Sequence, residues 1–331
     1  MQKTNRIFSY SGPLAAIIEA FVKEKQAMGY KYFKQALTLR RFDKFCILKG
    51  YKETSLTKEL VLMWTEKQPH ETENNRNKRI SLMRLLGSYM TRTGRDAYVY
   101  PNLMGKLTDK RYMPYIFLNS ELADLFRQAD SSKPHIMSPN RAKILPLLFR
   151  MLYECGLRIS EALHLRVEDV NVCNRTLKIV GSKFGKDRLV PMCLSLSLRC
   201  REYMGYIHFT AKPTDCFFPS PYGGMFDEST IYGYFRRFLW KAKISHGGRG
   251  KGPRLHDIRH TFAVNCLKRW VVKGEDLSTY LPYLSTYLGH TGLKGTQHYL
   301  RLTAELYPEI VSAVEEKFGE VIPEMKNDKA N

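Results

Sequence analysis

The feature that most constrains the fold is a break in the helical pattern after the first hundred residues. Helical spacing of apolar residues fails over a stretch punctuated by Pro101, Gly105 and Pro114. Such a stretch predicts a linker between domains, and 331 residues suffice for about two domains. The expected parts are a helical domain at residues 1–97, a linker at 98–116, a second domain at 117–322 and a polar tail at 323–331.

The two domains differ in their predicted secondary structure. The first has four helical segments, which are expected at Pro13–Met28, at Tyr32–Leu48, from a Thr57 N-cap onwards, and at Glu71–Arg92. The second domain begins with a helix capped by Asn119 or Ser120, followed by a helix at Asn140–Glu154. Three strands are then expected, at Val167–Val172, Thr176–Val180 and Arg188–Met192. The rest of the domain is expected to be mostly helical, and its last helix is Thr303–Phe318. The predicted fold class is mainly α with a small antiparallel β-sheet.

The charge of the chain favours a nucleic-acid partner. Lysine and arginine number 53 against 32 acidic residues, a formal net charge of +21. Residues 1–116 carry 22 basic and 10 acidic residues, so the smaller part is the more densely basic one. Net charge alone also suits a membrane-surface or an RNA-binding protein.

Cysteine usage and the N-terminal sequence indicate a cytoplasmic location. The seven cysteines form no CxxC pair, which makes a disulfide framework or a zinc site an unfavoured interpretation. The first residues show no signal peptide, and no apolar run is long enough to cross a membrane. We expect no membrane partner, no bound metal and no cofactor.

Six residues in the second half of the chain have the chemistry that attack on a phosphodiester by a phenol requires. They are Arg158, Lys183, His256, Arg259, His290 and Tyr299. A guanidinium donates two hydrogen bonds to phosphate oxygens and keeps its charge, and histidines add donors that move protons near pH 7. A lysine can protonate the leaving oxygen. A tyrosine, whose pKa is normally about 10, needs such cations to become a nucleophile.

Each of these residues has an ordinary explanation when it is taken alone. Arg158 with Glu161 reads as a surface ion pair on a helix, and His256 with Arg259 as a polar pair three residues apart on one helical face. Tyr299 is one tyrosine of 20. The order and intervals of the six together are what carry the signal.

The sequence around the six residues resembles that of the tyrosine recombinases, the family of phage integrases and chromosome-dimer resolvases. The matching strings are ECGLRISEAL, GSKFGKDRLVP, LHDIRHTFA, YLGH and GTQHYLRL. The resemblance implies that Arg158 and Arg259 bind the scissile phosphate, that His256 and His290 support it, and that Tyr299 forms a 3′-phosphotyrosyl bond. It also implies that Lys183 protonates the leaving oxygen. Lys183 is preferred to Lys186 because it lies eight residues before Pro191, the usual spacing in the family.

The same resemblance implies the architecture and the partners. It implies that a helical core-binding domain and a catalytic domain form a C-shaped clamp on double-stranded DNA. It further implies a homotetramer on two duplexes, with accessory recombinases as possible further partners, and a nucleoid-associated place in a bacterial cell. The activity implied is that of a mobile-element integrase or transposase without metal or ATP. The alternatives are a type IB topoisomerase-like nicking-closing enzyme and a non-catalytic DNA-binding regulator.

Two segments depart from the compact members of that family. Thirty residues separate Arg259 from His290, and the additional sequence lies near residues 270–284, as a longer helix connection or a partner contact. The glycine-rich loop at residues 244–253 lacks the spacing of a P-loop and is a candidate DNA contact.

Overall fold

The computed structural model describes residues 8–101, 113–181, 187–248, 252–290, 292, 296 and 299. The chain divides into two compact units, Met1–Lys110 and Arg111–Asn331, and the division falls inside the predicted linker. The architecture is mainly helical with one small antiparallel sheet, which confirms the predicted fold class. The predicted helix at Thr303–Phe318, the tail at residues 323–331 and Lys183 lie outside the described residues.

The first unit packs its described helices around one apolar core. They are α1 (Ala15–Ala27), α2 (Phe33–Leu48), α3 (Lys58–Thr65) and α4 (Glu73–Arg92). Apolar residues at helical spacing turn inward, and Phe21, Phe42 and Met83 are fully buried. Thr57 caps α3 as predicted, because its Oγ1 accepts a hydrogen bond from the Leu60 amide at 3.3 Å.

The second unit places helices around a three-stranded antiparallel sheet of order β1-β2-β3. Its helices are α5 (Asn119–Asp130), α6 (Arg141–Glu154), α7 (Ile159–His164), α8 (Leu194–Ile207), α9 (Glu228–Lys241), α10 (Asp257–Val272) and α11 (Leu277–Leu288). Its strands are β1 (Val170–Asn171), β2 (Thr176–Ile179) and β3 (Arg188–Pro191). In β2, Leu177 and Ile179 face the core, and Leu177 pairs with Val190 of β3.

Two predicted boundaries are wrong, and side-chain capping explains both. Residues 167–169 form a turn of 3-10 helix instead of a strand, because the Asp169 carboxylate accepts the Arg166 amide at 2.9 Å. Helix α5 has Leu118 at its N-cap position instead of Asn119 or Ser120. There the Glu121 carboxylate reaches back to the Leu118 amide at 2.8 Å.

Helix α10 connects the two apolar clusters of the second unit. Ile258 belongs to the large cluster that contains the buried residues of α6 and α9, and Val264 belongs to a smaller cluster with α11 and Tyr299. The Thr261 hydroxyl fixes the helix further by accepting the Phe117 amide at 3.0 Å. Residues 270–284 are therefore the end of α10, a turn and most of α11, which makes this additional sequence a helix connection.

Across the described ranges, no helix combines the length and the apolar composition that crossing a membrane requires.

Candidate active site

Five of the six residues singled out by their spacing lie together in the second unit. Arg158 occupies the N-cap position of α7, His256 the N-cap position of α10, and Arg259 the first turn of α10. His290 follows α11 directly, and the ring of Tyr299 stacks on the His290 ring with centroids 6.1 Å apart. Elements far apart in the sequence thus bring two guanidiniums, two imidazoles and a phenol to one place.

The C-terminal end of α11 is where the arginines meet. The carbonyls of residues 287–289 accept hydrogen bonds, in that order, from Arg188 Nε at 2.8 Å, Arg259 Nη2 at 2.5 Å and Arg158 Nη2 at 3.4 Å. The last carbonyls of a helix lack partners within the helix and carry the negative end of its dipole. The end of α11 is therefore a natural cradle for these cations.

Two glycines with positive φ allow this close approach. Gly289 ends α11 at φ +65°, and a Cβ atom there would lie 2.9 Å from Arg188 Nη1. Gly156 has φ +56°, its carbonyl accepts Arg259 Nη1 at 2.8 Å, and a Cβ atom would lie 2.5 Å from the Phe262 ring. These contacts account for glycine in the strings ECGLR and YLGH.

A buried carboxylate, Glu161, lies against the arginine cluster and offsets part of its positive charge. It accepts Arg158 Nη1 at 2.6 Å and both terminal nitrogens of Arg188 at 3.0 and 2.9 Å, and it lies 3.7 Å from Arg259 Nη1. Burial raises the pKa of Glu161, but hydrogen bonds from Arg188 and the Arg158 amide, with the charges of Arg188 and Arg259, lower it to about 2. The carboxylate is thus charged at neutral pH.

Arg259 is the most enclosed cation of the site, with 1% of its side chain exposed. Burial, followed by repulsion from Arg158, lowers its pKa to about 10, so that it remains charged at neutral pH. Its Nε has no hydrogen-bond partner among the residues that the structure describes. A buried donor without a partner is costly, and an oxyanion bound here would satisfy it.

The hydrogen bonds of His290 define its tautomer. Its Nε2 lies 3.2 Å from Arg259 Nη2, and because arginine only donates, Nε2 is the acceptor. Its Nδ1 lies 2.9 Å from the Thr296 hydroxyl and is left with the ring hydrogen. Burial and the charges of Arg259 and Arg158 lower the pKa of His290 to about 4, which keeps the ring neutral at pH 7.

His256 stands at the solvent side of the site. Desolvation and the charges of Arg259 and Arg158 lower its pKa to about 4. The residue also reaches the solvent, since it is exposed at the surface of the unit. His256 is thus a neutral hydrogen-bond donor at the open face.

The phenol of Tyr299 is enclosed, with 2% of the residue exposed. Burial raises its pKa, while Arg259, by charge and hydrogen bond, and Arg158 oppose that rise. Its oxygen lies 3.1 Å from Nδ1 of His260, whose ring also meets that of His256 with centroids 4.7 Å apart.

Sequence reasoning missed three residues of this site. The sequence indicates Glu161 only as the partner in a surface pair, yet it is buried beneath the guanidiniums. For Arg188 the sequence indicates only the start of a strand, and the intervals that mark the other residues do not include His260. His260 had a local signal, because it follows His256 by four residues and so shares its helical face.

Such an arrangement suits the binding of a phosphate ester next to a nucleophilic tyrosine, because guanidiniums and neutral imidazoles surround one phenol. Within the described residues, no group of three or more His, Cys, Asp or Glu side chains is placed to hold a metal ion. The class of protein that this fold and site define is one that acts on phosphodiesters through tyrosine.

The chain belongs to the phage integrase family, whose model matches residues 119–305. A candidate integrase/recombinase of Sinorhizobium fredii, y4rB, is 29% identical over 308 residues, which cover 91% of this chain and 96% of the relative. Tyrosine recombinase XerA of Pyrococcus furiosus is 32% identical over 170 residues, which cover 50% of this chain and 52% of XerA.

Two solved structures share the fold at low sequence identity. XerH site-specific recombinase bound to difH substrate, in a pre-cleavage complex, has a TM-score of 0.60 at 18% identity, over 80% of this chain and 74% of that one. Tn1549 transposon integrase in complex with transposon right end DNA has a TM-score of 0.60 at 16% identity, over 92% and 99%.

Proposed function

We propose that this protein is a site-specific DNA recombinase of the integrase type, which cleaves and rejoins DNA through a tyrosine–phosphate bond. The observation that carries the proposal is the convergence of two guanidiniums and two neutral imidazoles on the enclosed phenol of Tyr299. Relatives named tyrosine recombinase or integrase/recombinase, and neighbours solved with difH substrate or with transposon right end DNA, support the same class.

In this proposal, Arg158 and Arg259 bind the non-bridging oxygens of the scissile phosphate. The buried Nε of Arg259 is a donor without a partner among the described residues, and Arg158, with 20% of its side chain exposed, is the more accessible of the two guanidiniums. Both guanidiniums are held from behind by Glu161 and by helix-end carbonyls. Cations fixed in this way stabilise the charge that develops on phosphorus oxygens without reorganising during the reaction.

The two histidines have different roles in their neutral form: His290 supports Arg259, and His256 is the donor to the phosphate. His290 is locked between Arg259 and Thr296, and His256 remains accessible at the open face. A neutral imidazole N–H at His256 can donate to a phosphate oxygen without adding repulsion to the two guanidiniums. Lys183 is proposed to protonate the leaving 5′-oxygen.

Tyr299 is the proposed nucleophile, which attacks phosphorus and forms a 3′-phosphotyrosyl bond. Because the phosphoester is transferred rather than hydrolysed, a 5′-hydroxyl can reverse the step without ATP. Exchange between two duplexes requires two cleaved strands at a time, which favours a tetramer on two duplexes. The net charge of +21 suits a long polyanion. The relative named integrase/recombinase, which is matched over 96% of its length, favours a mobile-element enzyme that integrates or transposes DNA.

Covalent trapping tests the proposal even though the target sequence is undefined. The full chain is incubated with a pool of nicked suicide duplexes of randomised sequence in EDTA, and adducts that resist SDS are isolated and sequenced. We expect an adduct with a recurrent sequence from the wild type and from the control Tyr283→Phe, an exposed tyrosine of α11, but none from Tyr299→Phe.

The other outcomes separate the alternatives. Adducts without any shared sequence, together with relaxation of a supercoiled plasmid, would indicate a nicking-closing enzyme. Binding of duplex DNA without any adduct from the wild type would refute the catalytic proposal and leave a regulator of this fold.

A further inference from the structure

A third histidine, His260, lies at the reacting atom of the candidate nucleophile. Its Nδ1 is 3.1 Å from the phenol oxygen of Tyr299, and the ring centroids are 5.4 Å apart. We propose that His260 is a catalytic residue that accepts the phenol proton through Nδ1 as Tyr299 attacks the scissile phosphate. This inference rests on the proposed function, since it names the proton acceptor of the same attack.

The phenol needs such an acceptor because its surroundings hold on to its proton. A free tyrosine has a pKa of about 10, and burial raises the pKa of Tyr299 above that value. The cations Arg259 and Arg158 oppose the rise but offer no lone pair for the proton. A general base must lie within hydrogen-bond reach of the proton that it removes, and His260 satisfies that geometry.

Neither of the other two histidines of the site is placed for this task. The lone pair of His290 Nε2 is occupied by Arg259, and its Nδ1 carries the hydrogen that faces Thr296. The His256 ring contacts the His260 ring and sits under the repulsion of two guanidiniums. Of the three rings, the one whose nitrogen meets the Tyr299 oxygen is that of His260.

The position of His260 is fixed by helix geometry. Its amide donates to the His256 carbonyl at 3.2 Å in the first turn of α10, next to Arg259. The same turn therefore presents a phosphate-binding cation and a proton acceptor in consecutive residues. The Tyr299 ring is held between the rings of His290 and His260, which limits its rotation and directs its oxygen at Nδ1.

The proposed step makes one bond to phosphorus and breaks another. The proton of the Tyr299 hydroxyl moves to His260 Nδ1, the bond from the phenol oxygen to phosphorus forms, and the bond from phosphorus to the 5′-oxygen breaks. The 5′-oxygen takes a proton from a separate acid, for which Lys183 is proposed. On rejoining, the 5′-hydroxyl attacks phosphorus, its proton returns to that acid, and the departing phenolate regains the proton held by His260.

The first test uses the protein without DNA and examines the direction of the hydrogen bond. Histidine side-chain ¹⁵N NMR of the neutral ring should show His260 Nδ1 without a hydrogen and perturbed by Tyr299→Phe. A neutral His260 that carries its hydrogen on Nδ1 would donate to the phenol instead, and that result would overturn the proposal.

The second test measures the rate of adduct formation in a single turnover on the same pool of randomised nicked duplexes. His260→Asn keeps a hydrogen-bonding atom near the position of Nδ1 but cannot take up a proton. We expect its rate of adduct formation to fall about 100-fold or more while DNA binding is unchanged. The pH–rate profile should also lose the part that depends on protonation of His260. The control is His164→Asn, an exposed histidine of α7, which should react like the wild type.

Chemical rescue guards against a merely structural defect. Added imidazole should restore adduct formation to His260→Ala at a rate that rises with imidazole concentration, since it supplies the missing base. An unchanged rate and pH profile in His260→Asn would refute the role of His260 while the recombinase proposal stands. Failure of both the wild type and His164→Asn to form any adduct would refute the recombinase proposal, and this inference with it.

Discussion

Glu161 holds the guanidiniums of the site in place. Its buried carboxylate binds Arg158 and Arg188 directly and lies 3.7 Å from a nitrogen of Arg259. The pKa of Glu161 is lowered from 4.5 to about 2. That difference corresponds to about 3 kcal/mol in favour of the charged form in the folded state. Glu161→Gln keeps the shape of the side chain but removes this charge.

We expect Glu161→Gln to lower the free energy of unfolding of the second unit by about 3 kcal/mol at pH 7. A lowered pKa means that the stabilisation is complete above pH 4.5 and is lost as the pH falls towards 2. The difference between wild type and Glu161→Gln should therefore persist from pH 7 to pH 5 and narrow below that.

The assay is urea denaturation of the full chain at several pH values, with hydrogen exchange in peptides of α6 and α10 to report on the second unit. Asp130→Asn is the matched control, because it breaks the ion pair with Arg150 in the same unit at a half-exposed carboxylate. That change should cost less than about 1 kcal/mol. If Glu161→Gln lowers the free energy of unfolding by less than about 1 kcal/mol, or by an amount that does not depend on pH, the buried charge of Glu161 does not stabilise the second unit.

Three further changes test other contacts of the site. Gly289→Ala should lower the free energy of unfolding by about 1–2 kcal/mol because of the left-handed backbone, and by more because the added Cβ would displace Arg188. Urea denaturation measures this loss, and an unchanged stability would contradict the predicted clash. Because the pKa of His290 is lowered to about 4, the unfolded chain takes up a proton first, and wild-type stability should fall as the pH drops from about 6.5 to about 4. His290→Gln should make that slope shallower in a pH series of thermal unfolding, while the part that comes from His256 remains. An unchanged slope would count against the lowered pKa of His290. Arg259→Lys keeps the charge but loses the two-pronged donor, so adduct formation should fall about 100-fold or more while DNA binding, measured by gel shift, falls much less.

Much of the architecture could be predicted from local sequence patterns. Helical spacing of apolar residues located α1 to α6, and Thr57 identified one N-cap correctly. Beyond Pro191 the spacing indicated only a mainly helical chain. The errors occurred where side chains of Asp169 and Glu121 capped short elements, since such capping competes with the local pattern of strands and helices. Boundaries of this kind depend on one hydrogen bond and are not visible in the spacing of apolar residues.

The candidate site was predictable to the extent that it consists of side chains with distinctive chemistry. Arginine, histidine and tyrosine at fixed intervals indicated a phosphodiester and a covalent step, although each residue alone was compatible with a surface pair or a packed ring. Glu161 and Arg188 escaped because buried ion pairs look like surface ion pairs in a sequence. The role of His260 escaped because its contact with Tyr299, 39 residues further on, forms only in the folded chain.

The sequence by itself determined the helical character of the chain, its division into two parts and the reacting groups that it carries, because propensity, spacing and chemical type are local properties. Only the tertiary structure decided that the end of α11 receives three arginines, that Glu161 offsets part of their charge, and that the phenol of Tyr299 meets His260. The physical reason is that charge stabilisation, burial and proton transfer depend on distances of a few ångströms between atoms that the chain separates by up to 131 residues.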